Sequence, residues 1–78
     1  MTHDLETALL DAHASGDNAA LVQLYTQAAN QAAQEGQTDA SCFFLTHAFI
    51  FALESGAPEA AALNARLAHL GRAHLLSF

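Results

Sequence analysis

Apolar residues recur along this chain at helical spacing, in four segments separated by evenly placed glycines. Leu5, Ala8, Leu9 and Ala12 follow the i, i+3, i+4, i+7 rule, which puts them on one stripe of a helix running from about Thr2 to Ser15. Asp17 is a good N-cap for a second helix, whose inner face carries Leu21, Leu24, Tyr25, Ala28 and Ala32. A third helix is predicted from near Thr38 to Ser55. Pro58 opens a fourth, which presents Ala60, Leu63, Leu67 and Leu70 inward and frays or ends at Gly71. Gly16, Gly36 and Gly56 are spaced by twenty residues, each where a left-handed C-cap is wanted. The expected fold is therefore all-α, with about four antiparallel helices in two helix–turn–helix hairpins, spanning about 2–36 and 37–72, and a short apolar tail over 73–78.

The third helix is apolar on more than one side. At 100° per residue Cys42, Leu45, Phe49, Ala52 and Leu53 share one face, while Ala40, Phe44, His47 and Phe51 fall on the opposite one. Both faces need covering. The second is either core, covered by the fourth helix and the tail, or an interface, since an exposed pair of phenylalanines implies a partner.

Composition narrows the class. An apolar fraction of 53% with 13% charged residues supports folding rather than disorder, and nineteen alanines with few β-branched residues favour helix over strand. Two arginines, no lysine and eight carboxylates give a formal charge of −6, which disfavours nucleic acid and anionic membrane surfaces as partners. The start, Met1-Thr2-His3-Asp4, lacks the pattern of a secretory signal, and the apolar run Ala48–Leu53 is too short to span a bilayer, so a cytoplasmic location is expected. Asp4 and Glu6 suit the first turn of the first helix, and Arg66 and Arg72 suit the C-terminal end of the fourth.

A shift of forty residues lays Ala8–Gly16 over Ala48–Gly56, with four of nine positions identical and two more apolar in both. Around Gly16-Asp17 lie Leu5, Ala8, Leu9 and Ala12 on one side and Leu21, Tyr25 and Ala28 on the other. Around Gly56 lie Leu45, Ala48, Phe49 and Ala52, then Ala61, Ala65 and Ala68. This arrangement resembles the tetratricopeptide repeat (TPR), in which the two antiparallel helices of one repeat stack on the next. The resemblance implies a module that works by protein–protein contact. A plain four-helix bundle fits the same periodicity.

Candidate chemistry is sparse. His3, His13, His47, His69 and His74 form no i, i+3 or i, i+4 pair, and the five-residue offsets of Cys42 and His47, and of His69 and His74, turn the side chains about 140° apart. No metal site, cofactor or catalytic residue is assigned, and Cys42 reads as a buried reduced thiol. No phosphate loop, nucleophile elbow or acid–base pair is present, so enzymatic activity is not expected. The expected function is a small TPR-like interaction module that self-associates as a homodimer or binds a protein partner. Phe44, His47 and Phe51 are the first candidates for the contact, followed by Leu75, Leu76 and Phe78. The protonation range of His47 makes such a contact a candidate for pH sensitivity. The alternative is a helical bundle that holds a small molecule or a metal between its helices.

Overall fold

The computed structural model describes residues 3–71, with side chains from Leu5 onward. The expected start at Thr2, the first-turn carboxylate of Asp4, Arg72, His74 and the tail with Leu75, Leu76 and Phe78 lie outside that description. Among the described residues there are four helices: α1 (His3–Ser15), α2 (Asn18–Gln34), α3 (Thr38–Ser55) and α4 (Glu59–His69). None is long and apolar enough to cross a membrane.

The three glycines end their helices by one shared device. Gly16, Gly36 and Gly56 have φ of 68°, 74° and 66°, the left-handed region that glycine occupies without a side-chain penalty. At each, the residue after the glycine donates its backbone N–H to a carbonyl five residues back: Asp17 to Ala12, Gln37 to Ala32 and Ala57 to Ala52, at 3.0, 2.9 and 2.8 Å. Each glycine N–H bonds the carbonyl three residues back, completing a Schellman motif. The carbonyl that closes each motif belongs to a buried alanine, Ala12, Ala32 or Ala52. The backbone thus repeats every twenty residues, helix by helix, inside the forty-residue repeat of the sequence.

The next helix starts within three residues of each glycine, so successive helices run antiparallel. Asp17 Oδ1 accepts from the Ala20 N–H at 3.1 Å and caps α2, whereas Gln37 and Pro58 give no side-chain cap. Asp17→Ala is therefore expected to lower stability by about 1 kcal/mol in urea denaturation. A Gln37→Ala change removes no cap bond and is the control.

The helices pack in chain order. Backbones approach within 8 Å only for α1 with α2, α2 with α3 and α3 with α4, and the Cα array measures 32 × 30 × 12 Å. A closed two-by-two bundle would bring α1 and α4 together, so the described helices form an open slab instead. Two clusters fill it. Leu5, Leu9, Ala12, Leu21 and Ala28 join α1 to α2, and Val22, Ala29, Cys42, Leu45, Ala48, Ala52, Ala60, Leu63 and Leu67 join α2, α3 and α4. The α2–α3 seam is lined with small residues, and the buried Ser41 hydroxyl donates to the Ala29 carbonyl at 2.9 Å across it. Farther out, Arg66 Nη2 donates to Asn30 Oδ1 at 2.8 Å, tying α4 to α2.

Most of the expected inner positions are buried, with instructive exceptions. Ala8, Leu24 and Tyr25 are only half-buried. Leu53 is 47% exposed, because α2 and α4 cover neighbouring sectors of α3 and leave its own open. Leu70 is 41% exposed, one residue beyond the end of α4. Ala61 and Ala65, which the repeat pattern aligns with Leu21 and Tyr25, are exposed on α4. The buried positions there are Ala60, Leu63, Asn64 and Leu67.

Candidate interaction face

Two sectors of α3 are occupied and one is open. Leu45, Ala48 and Ala52 are buried within the α2–α3–α4 cluster, together with Cys42. Phe44, His47 and Phe51 are half-buried and turn toward α2 and α1. The covering partner is thus not α4 but elements that precede α3 in the chain.

Tyr25 of α2 is the centre of this joint. Its ring stacks on Phe51 at 5.9 Å and 12°, on His47 at 5.1 Å and 29°, and lies tilted against Phe44 at 6.3 Å. The Tyr25 hydroxyl and His13 Nε2 are hydrogen-bonded at 2.8 Å, and the His13 ring meets Phe51 edge-on at 5.7 Å. Each such ring pair adds about 0.5–1.5 kcal/mol beyond area burial. The cluster therefore ties α1 to α3 although their backbones do not approach closely. His47 Nδ1 is 2.9 Å from the Phe43 carbonyl of its own helix, so that nitrogen carries the proton, and Nε2 is the acceptor when the ring is neutral.

The open sector carries Phe43, Thr46, Ile50 and Leu53. All four are exposed, Phe43 by 57% and Ile50 by 46%, and their spacing of three, four and three residues is that of an a/d seam. The stripe continues from the ring cluster, since the Phe43 ring contacts His47 at 4.4 Å and Phe44 at 5.5 Å. From Ala40 to Leu53 α3 has no charged residue, and Asp39 and Glu54 bound the stretch. On α1, Leu10 is 70% exposed and lines a shallow hollow with Glu6, Leu9, His13 and Tyr25.

The sequence-predicted residues Phe44, His47 and Phe51 thus come together with their inner edges in a helix joint, while Leu75, Leu76 and Phe78 lie outside the described residues. Sequence reasoning missed the stripe, although its signal was present. Sorting α3 into two opposed faces left Phe43 and Ile50 on neither, and those are the positions that face outward. Cys42 is buried, and among the described residues no three His, Cys, Asp or Glu side chains are grouped to hold a metal ion. No protein-family model, curated protein or solved structure matches this chain.

Proposed function

We propose that this protein is a small helical interaction module that self-associates through the outward side of α3. The observation that carries the reading is the exposed stripe of Phe43, Thr46, Ile50 and Leu53 on a charge-free stretch of helix. An apolar seam at heptad spacing is the surface that a second helix covers. The charge of −6 on each copy opposes pairing over most of the surface, so a second copy can approach closely only where charge is absent, and the stretch from Ala40 to Leu53 is such a place. Two-fold antiparallel pairing of α3 sets Phe43 of one copy against Leu53 of the other and Thr46 against Ile50, and the half-buried rings of Phe44, His47 and Phe51 border the contact. The TPR-like character of the sequence points to the same class of work.

Ile50→Glu tests this directly. In sedimentation velocity or light scattering over a range of concentrations, the wild-type chain is expected as a reversible dimer and the variant as a monomer. At an exposed position the melting temperature should stay within the shift expected for about 0.5 kcal/mol. Phe44→Ala provides the contrast, because truncating a half-buried ring in the α1–α2–α3 joint lowers stability. A wild-type chain that stays monomeric up to millimolar concentration, or an Ile50→Glu variant that remains dimeric, overturns the proposal.

A further inference from the structure

Hollows open on the described surface, and one differs in charge from two others. The hollow beside Leu10 includes Glu6, and another beside Val22 includes Glu59. The third lies where the end of α2, the start of α3 and the end of α4 meet. It is an open cleft of ≈ 400 Å³ lined by Ala33, Thr38, Ser41, Ala65, Arg66, His69 and Leu70. In a chain with eight carboxylates, none of the described lining residues of this cleft is acidic.

The polar groups that line it are donors suited to an anion. Arg66 is half-buried, and one guanidinium N–H donates to Asn30 at 2.8 Å. A guanidinium has five N–H donors in all, so four remain for a carboxylate. Thr38 and His69 line the same cleft, and each carries a side-chain O–H or N–H. The rest of the wall is aliphatic: Ala33, Ala65 and Leu70. A few convergent polar groups in a largely apolar hollow of this size is the usual make-up of a small-ligand site.

We infer that this cleft binds a small apolar carboxylate, its head on Arg66 and His69 and its aliphatic body against Ala33, Ala65 and Leu70. The site is independent of the α3 stripe, so it stands or falls separately from self-association.

The test is an amide NMR titration of the full chain with sodium octanoate at neutral pH, with octanol and octylammonium as controls. Saturable shifts are expected at Ala33, Thr38, Ser41, Ala65 and His69, with octanol at least about tenfold weaker and octylammonium not saturating. Arg66→Gln should weaken octanoate by about tenfold. Because that variant also breaks the tie to Asn30, Ala65→Leu is the companion: it narrows the cleft at an exposed position, leaves Arg66 and Asn30 in place, and should abolish the shifts. Shifts centred on Tyr25, Leu10 or Phe43, no saturation up to millimolar octanoate, or unchanged binding in either variant overturns the inference.

Discussion

Leu45→Ala is expected to destabilise the fold by about 3 kcal/mol, the middle of the range for removing a fully buried leucine. Leu45 has no exposed surface and belongs to the cluster shared by α2, α3 and α4, so the cavity it leaves is walled by three helices. A chain of this length has a total stability of about 4–12 kcal/mol, so the loss takes a large share of it. Thermal unfolding followed by far-UV circular dichroism should show a fall of roughly 12–24 °C. A loss below about 1 kcal/mol would mean that the slab can collapse around the missing side chain, and that α3 is not the element on which the others depend.

Ala29→Leu is expected to cost a similar amount, about 2–4 kcal/mol, by the opposite route. Ala29 is fully buried at the α2–α3 seam, and its carbonyl accepts the Ser41 hydroxyl at 2.9 Å. Three added carbons have no room there, so the helices must separate. Overpacking of about 1–3 kcal/mol then adds to the loss of a buried hydrogen bond worth about 1 kcal/mol. Ala14→Leu, at an exposed position of α1, should stay within about 0.5 kcal/mol of wild type. Equal stability of the two leucine variants in urea denaturation would show that the seam is not closely packed.

The helices and their ends were legible because glycine at a left-handed C-cap is a local requirement that needs no knowledge of packing. Gly16, Gly36 and Gly56 meet it at once. Leu5, Leu9 and Ala12 were legible for a second reason: α1 is an edge helix with one neighbour, so its apolar stripe has a single direction. Val22 was not, because α2 is covered by both α1 and α3 and its buried arc is wider than one stripe. Asn64 is buried on α4 although residue type alone places it outside.

The site was legible only in part, and α3 explains why. A helix apolar nearly all round has no periodic contrast, so its sequence says that several sides are covered without saying by what. Phe44 and Phe51 were correctly separated from Leu45 and Ala52, but the cover comes from Tyr25 and His13, 19 to 38 residues earlier in the chain. Such pairing depends on tertiary topology, which local spacing does not encode. Arg66 illustrates the same limit, since its partner Asn30 lies thirty-six residues away.

Helix backbones approach only between chain neighbours, with the His13–Phe51 and Arg66–Asn30 contacts as side-chain ties beyond them, and this has a consequence for how the molecule acquires its structure. Every seam closes a short loop, so the entropy lost in forming it is small and contact order is low, the condition under which domains fold fast. The α2–α3 hairpin, with its long alanine-lined seam, is the natural nucleus, and α1 and α4 add to opposite ends of it. Neither outer helix needs the other to dock. Stability then rests mainly on three nearest-neighbour couplings, to which the α1–α3 ring contacts and the Arg66–Asn30 bond add, and the ends of the array can open one at a time while the central pair stays closed.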